Sequence, residues 1–211
     1  MKLYVMPVSP NVRKAQAVVN YLDLDVDVIS KDVMAGDLKT DDFLGINPNG
    51  KVPALEDGEF KLWESNAIAQ YLALTAPNND LFPDDLVKRM DITRWQFWES
   101  NHYNKAVGSI VWETLIKPLF KIPGGPDESK IEAGLTDFNL FAPILEKQLN
   151  GNEFITGDTL TLADFSVGAM SALVLSKSSR IPLEEYPVIK SWYLRLEAIP
   201  AWAKSGPSFE I

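Results

Sequence analysis

Asn47-Pro48-Asn49-Gly50-Lys51-Val52-Pro53-Ala54-Leu55-Glu56-Asp57-Gly58-Glu59-Phe60-Lys61-Leu62 is the stretch that decides the fold of the first part of this chain. Asp57-Gly58 between two apolar runs is a strong hairpin signal. Turn residues lead straight into the first of those runs, which opens with Val52-Pro53. Proline cannot donate to a ladder and fits at a strand start. A cis bond there would expose the main chain of Val52 to an extended peptide, which could pair as an extra strand. A trans proline at an ordinary strand entry fits the same residues.

Working outward from the hairpin, residues 3–6 form a short apolar run. Residues 10–22 place Val12, Ala15, Val18, Val19 and Leu22 at helical spacing. Residues 24–30, with Val26, Val28 and Ile29, read as a second strand, and 38–44 as a short irregular helix. Residues 64–74 read as a helix with Ile68, Tyr71 and Leu72 on one side. The order strand, helix, strand, helix, strand, strand, helix gives a mixed sheet whose first pair needs a right-handed crossover. Residues 75–85 carry turn and breaker residues. Beyond them helices dominate: 85–120, rich in Trp and ended by Pro118 and Pro123; 127–149, with Pro143 marking a kink; 162–176, apolar nearly all round and so buried; and two short closing helices over 187–196 and 198–204.

Composition removes several function classes. The 211 residues contain no Cys and one His, His102. Disulfides, thiolate metal sites and dithiol redox chemistry are therefore excluded, and no metal site is expected. The net charge of -9 speaks against nucleic acid. No apolar run approaches the roughly 18 residues of a membrane span. The opening Met1–Met6 segment, broken by Pro7, reads as a strand rather than a signal peptide, and a cytoplasmic protein is expected.

Two further stretches carry chemistry. In Trp63-Glu64-Ser65-Asn66-Ala67-Ile68, Ser65 reads as the N-cap of a helix whose first-turn amides can hold a carboxylate, with Glu64 beside them for an ammonium group. The same residues also make a plain capped helix. In Val8-Ser9-Pro10-Asn11-Val12-Arg13-Lys14, Pro10 suits the first helical position and Ser9 the cap. A hydroxyl aimed out of a helix N-terminus can also donate to a thiolate.

As an ordered set, Ser9, Asn47-Pro48 with Val52-Pro53, and Glu64-Ser65 resemble the glutathione site of the cytosolic glutathione transferases. The run Glu99-Ser100-Asn101-His102-Tyr103-Asn104-Lys105-Ala106, with Trp112-Glu113-Thr114-Leu115-Ile116-Lys117-Pro118, is similar to the fourth helix of the phi class. Phe154-Ile155-Thr156-Gly157-Asp158 and the capping box Thr161-Leu162-Ala163-Asp164 are family-like, as are Tyr186-Pro187, Trp192 and Ile199-Pro200.

The resemblance implies an α/β thioredoxin-like first domain over 1–76, a linker over 77–85 and an all-helical domain over 86–211. It implies a cytosolic homodimer that uses glutathione as co-substrate and conjugates it to hydrophobic electrophiles. Glu64 and Ser65 would hold the γ-glutamyl end, Val52 before Pro53 would pair with the cysteinyl unit, and Lys39 would hold the glycine carboxylate. Ser9 would hydrogen-bond the sulfur, with Asn11 as the alternative. Val8, Pro10, Met34, Trp112 and Ile116 would line the electrophile pocket, although Trp112 and Ile116 also suit ordinary core packing. The phi class has histidine where Leu38 stands and glutamine where Lys51 stands. Lys51 can compensate at the carboxylate, and a bacterial serine-type relative fits as well as a phi enzyme. Peroxidase, isomerase and dehalogenase chemistry uses the same parts, and a non-catalytic binding protein of this fold is the rival reading. A cysteine-type thioltransferase is excluded by composition. Tyr4 reads as core and His102 as an exposed or interface residue.

Overall fold

The computed structural model of the protein describes residues 1–77 and 79–207. Asn78, in the expected linker, and residues 208–211, at the end of the expected helical domain, lie outside the described residues. The chain divides into two compact units, one comprising Met1–Pro83 with a returning segment that starts at Ile199, the other beginning at Asp84 and running to Ala198.

The first unit has the expected element order. Strand β1 (Lys2–Val5) is followed by helix α1 (Pro10–Tyr21), β2 (Asp27–Ser30), a 3-10 turn (Asp37–Lys39), α2 (Asp41–Leu44), β3 (Ala54–Asp57), β4 (Phe60–Trp63) and α3 (Ser65–Thr75). The sheet order is β2-β1-β3-β4. β1 and β2 run parallel with Leu3 opposite Val28, and β3 runs antiparallel to both β1 and β4, with Leu55 opposite Leu3 and Leu62. The hairpin turns at Gly58, whose φ of 58° is open to glycine without strain. α1 buries Val12, Ala15, Val18 and Val19, the positions its periodicity marks. β2 is shorter than the run 24–30, because Asp23 takes a φ of 49° and Leu24 N–H returns to the Val19 carbonyl.

One expected boundary moves. The last helix, α11 (Pro200–Lys204), belongs to the first unit rather than to the helical domain. Its anchors are on α1. The Arg13 guanidinium lies 4.1 Å from the centroid of Trp202 and donates to the Trp202 carbonyl at 3.4 Å, while Asn20 donates to the Ala201 carbonyl at 3.2 Å. The division between the units after Pro83 falls within the linker expected over 77–85.

The second unit is helical throughout its named elements. α4 (Leu86–Trp98) continues through a π-turn (Glu99–Tyr103), α5 (Asn104–Val111), a second π-turn (Trp112–Ile116) and α6 (Lys117–Leu119). α7 (Glu128–Leu149) contains Pro143. The apolar run 162–176 forms two short helices, α8 (Leu162–Val167) and α9 (Ser171–Leu175), followed by α10 (Pro187–Glu197). The expected single helix breaks at Gly168, the C-cap of α8, where a Cβ would run into the Leu196 side chain of α10 and the Asp164 carbonyl. All of α8 is buried. Among the described residues no helix is long and apolar enough to cross a membrane.

Asp164 holds this second core together. Thr161 and Asp164 form the capping box of α8. The carboxylate also accepts the Ile155 N–H at 2.9 Å and the Trp192 indole N–H at 3.0 Å. Burial pushes its carboxyl up to about 6, against these donors, which favour the ionised form. Asp164→Ala leaves several buried donors unpaired, and a loss of about 3–5 kcal/mol in urea unfolding is expected. The proton bound in the native state is not held by an unfolded carboxyl titrating near about 4. Stability from this proton is therefore full below about pH 4 and lost as pH rises through about 6, so the gap between wild type and variant should be larger at pH 4.5 than at pH 8.

Candidate functional site

Three loops of the first unit carry the residues expected to hold a ligand. The first joins β1 to α1. Ser9 is the N-cap of α1, with φ −83° and ψ 120°, and its Oγ accepts the Val12 N–H at 3.4 Å. Pro10 takes the first helical position, where its missing N–H costs nothing. A serine hydroxyl that accepts from Val12 keeps its own hydrogen for another acceptor. Ser9 thus presents a donor at the positive end of a 12-residue helix.

The second loop leads into β3. Asn47 is buried, and its amide does most of the ordering: Nδ2 donates to the Lys51 carbonyl at 2.7 Å, while Oδ1 accepts the Asn49 N–H at 3.0 Å. Gly50 has φ 58°, and a Cβ there would stand 3.0 Å from the Leu38 carbonyl. Only glycine allows this approach. Lys39 follows Leu38 in the chain and Lys51 follows Gly50, so the contact brings two exposed lysines to one edge of the unit. Leu38 itself packs in the core with Tyr4, Phe43 and Ala54, which accounts for an apolar residue at that position. The Val52–Pro53 bond is cis. β3 begins only at Ala54, so the main chain of Val52 lies beyond the ladder.

The third loop joins β4 to α3 and corrects one expectation. Ser65 is not the cap of α3. The N-cap position falls on Glu64, whose side chain makes no capping bond, and Ser65 is the first helical residue. Glu64 has φ 75° and ψ 115°, a region that costs a non-glycine residue about 1–3 kcal/mol. It is forced there because Trp63 is still paired with Ala54 in the sheet and the helix starts one residue later. The turn leaves the Glu64 side chain exposed. The buried Ser65 hydroxyl donates to Asn11 Oδ1 at 3.4 Å, which joins the third loop to the first. Neither this link nor the ordering role of Asn47 is evident from sequence. The only signal was the turn-forming composition of the Asn47–Gly50 stretch and the helical phase that puts Asn11 on the first turn of α1.

The remaining expected residues divide between the units. Val8 and Pro10 are half-buried beside Ser9, and Met34 is 90% exposed on a turn held by Asp32 Oδ1, which accepts the Met34 N–H at 2.8 Å. Trp112 and Ile116 lie in the second unit on the π-turn, Trp112 exposed and Ile116 half-buried. Tyr4 is a core residue. Its ring meets Phe43 edge-on at 5.9 Å, its hydroxyl donates to Glu56, and burial pushes the phenol up to about 12. His102 is exposed, with its ring 5.1 Å from Phe141.

Comparison with known proteins bears on the family and the fold. Residues 1–74 match the family profile "Glutathione S-transferase, N-terminal domain", and residues 104–200 match "Glutathione S-transferase, C-terminal domain". Glutathione S-transferase 3 of Zea mays is 33% identical over 208 residues, covering 97% of this chain and 92% of the maize protein. The crystal structure of glutathione transferase F7 from Populus trichocarpa superposes with a TM-score of 0.88 at 28% identity, over 97% of this chain and 96% of that one. A theta class glutathione S-transferase from Xanthomonas axonopodis pv. citri, solved with glutathione bound, gives a TM-score of 0.85 at 27% identity, over 99% of this chain and 97% of that one. With its four-stranded first unit, its helical second unit and both family domains matched in order, this chain belongs to the glutathione S-transferase family.

Proposed function

We propose that the three loops of the first unit hold glutathione and that Ser9 stabilises its thiolate for attack on an apolar electrophile. The observation that carries this reading is Ser9 itself, a hydroxyl with a donor to spare at the N-terminus of α1. A free cysteine thiol has a pKa of about 8.5, so only a few per cent is thiolate at neutral pH. One O–H donor and a helix N-terminus both favour the anion over the thiol. Held there, the sulfur attacks an electrophilic carbon, and the carbon–sulfur bond forms as the leaving group departs or the addition completes.

The rest of the cradle follows from charge and hydrogen-bond type. Glu64, exposed on its strained turn, suits the γ-glutamyl ammonium, and Ser65, the first residue of α3, can donate to the adjoining carboxylate when its hydroxyl turns from Asn11 Oδ1. Lys39 and Lys51 suit the glycine carboxylate. Val52, ahead of β3 and next to the cis Pro53, suits main-chain pairing with the cysteinyl unit. Val8, Pro10 and Met34 in the first unit and Trp112 and Ile116 in the second are assigned apolar contacts with the electrophile. Two solved relatives support the ligand class: one glutathione S-transferase I is described with lactoylglutathione bound and the maize enzyme I with an atrazine glutathione conjugate. Asn11 is assigned a supporting role through Ser65, since its Oδ1 is engaged there.

Wild type should be retained on immobilised glutathione and turn over a chlorodinitrobenzene. Glu64→Ala and Ser65→Ala each remove a partner of a charged group, so each should weaken glutathione binding by about 1.5–3 kcal/mol in titration calorimetry. Unchanged affinity in both variants would refute the γ-glutamyl assignment.

We also assign to the second unit a surface for a second copy of the chain. Leu86, Met90 and Phe97 are exposed along one side of α4. Beside them a groove of about 540 Å³ runs between α4 and α7, walled by Trp95, Trp98, Pro143 and Ile144. Exposed apolar area of this kind marks association. With α3 of the first unit, α4 is assigned to a homodimer interface. Light scattering at micromolar concentration should give twice the chain mass of 23.6 kDa, and Phe97→Glu should shift it toward the single chain. A single-chain mass for wild type would contradict the dimer.

A further inference from the structure

Glu113 places a charge where the fold has little reason to bury one. Its side chain is 1% exposed, on the π-turn Trp112–Ile116. The other side of that turn is apolar. Trp112, Ile116 and Phe120 recur at every fourth residue, and Trp112 and Phe120 are exposed. The carboxylate faces inward instead. Its Oε2 accepts the Asp127 N–H at 2.9 Å and lies 2.5 Å from Lys117 Nζ, and its Oε1 lies 4.0 Å from Lys130 Nζ.

These partners belong to two different pieces of the chain. Lys117 opens α6, Asp127 is the N-cap of α7, and Lys130 lies in the first turn of α7. The connection between them, 120–126, contains Pro123, Gly124, Gly125 and Pro126, with Lys121, Gly124 and Gly125 all at positive φ. The segment bonds to the end of the turn at Lys117, whose carbonyl accepts the Ile122 N–H at 2.9 Å and whose Nζ donates to the Gly125 carbonyl at 3.4 Å. A buried carboxylate is unfavourable unless fully partnered, and an apolar side chain would fill the same space without that cost. What the charge adds is fixed direction, through short bonds to groups on either side of the connection. Thr114 supplies a second tether on the same turn, with its Oγ1 2.8 Å from the Ile110 carbonyl and 3.2 Å from that of Ser179. π-turns inside longer helices recur at functional sites.

We propose that Glu113 is a positioning residue for electrophile binding: it fixes the π-turn that presents Trp112 and Ile116, and so sets the affinity for the apolar co-substrate. The inference rests on the reading that these two side chains receive the electrophile. Glu113 touches no substrate. Loosening the turn should weaken binding of the electrophile without altering the thiolate or the glutathione cradle.

The test is steady-state kinetics with glutathione and a chlorodinitrobenzene, each varied in turn, on Glu113→Gln, Glu113→Ala and Lys117→Met. Glutamine keeps an acceptor for Asp127 but loses the ion pairs, so the electrophile KM should rise about threefold, and about tenfold for alanine. The kcat and the glutathione KM should stay within about twofold of wild type. If the alanine variant does not fold, Glu113→Gln and Lys117→Met carry the test. An unchanged electrophile KM in folded variants would overturn the proposal. So would a fall in kcat with both KM values unchanged, which reports loss of folded protein. A wild type that neither binds glutathione nor turns over the halide would refute the functional reading instead.

Discussion

One buried amide organises the mouth of the first unit. Asn47 donates to the Lys51 carbonyl and accepts the Asn49 N–H, so the chain is folded on itself before β3 begins. Burial keeps water from competing for these bonds, which makes them both strong and directional. The consequences run in order along the chain. β3 enters the sheet in register with β1 and β4 together, and β4 delivers Glu64 onto its strained turn. α3 then starts at Ser65 and meets α1 through Asn11. At the head of α1 stands Ser9. The residues assigned to glutathione are far apart in sequence, and this one loop geometry sets most of their positions.

The second unit is built on the same principle with different atoms. Asp164 gathers donors from the loop before it, from its own cap and from α10, as Asn47 gathers its loop. Glu113 does likewise at the far end of the long helical run, where it joins α6 and α7. For Asp164 and Glu113 the partners of the buried polar group come from separate segments. Apolar packing alone would fill the space and leave the segments free to slide. Such groups fix geometry, and the chemistry assigned to this chain needs fixed geometry more than it needs added stability.

Much of this was legible before any coordinates. Asp57-Gly58 marked the hairpin, and the spacing of Val12, Ala15, Val18 and Val19 marked the buried side of α1. Both signals are local, so tertiary contacts had nothing to overrule. The misreadings arose where distant contacts decide. Ser65 looked like a cap because serine suits that role, but pairing of Trp63 in the sheet moves the cap onto Glu64. The run 162–176 reads as one helix because it is apolar nearly all round, and the packing of Gly168 against Leu196 of α10 at the break leaves no trace in it. The last helix groups with the first unit because its anchors, Arg13 and Asn20, lie on α1, far away in sequence. Of the assigned site, residue types and order were legible. The Asn11–Ser65 link, the approach of Gly50 to Leu38 and the partners of Glu113 were not, because none leaves a periodic trace.

The central claim is that the Ser9 hydroxyl holds the sulfur of glutathione as an anion. The most direct measurement is the ultraviolet thiolate band of glutathione bound to the protein, titrated with pH in wild type and in Ser9→Ala. The account predicts that the bound thiol of wild type ionises below the value of about 8.5 for a free cysteine thiol, and that the alanine variant moves it back up. Turnover should fall about 10²–10³-fold in the same variant, with glutathione affinity changed far less. A thiolate band that titrates at the same pH in both proteins would contradict the account and pass the role to the main-chain amides at the start of α1.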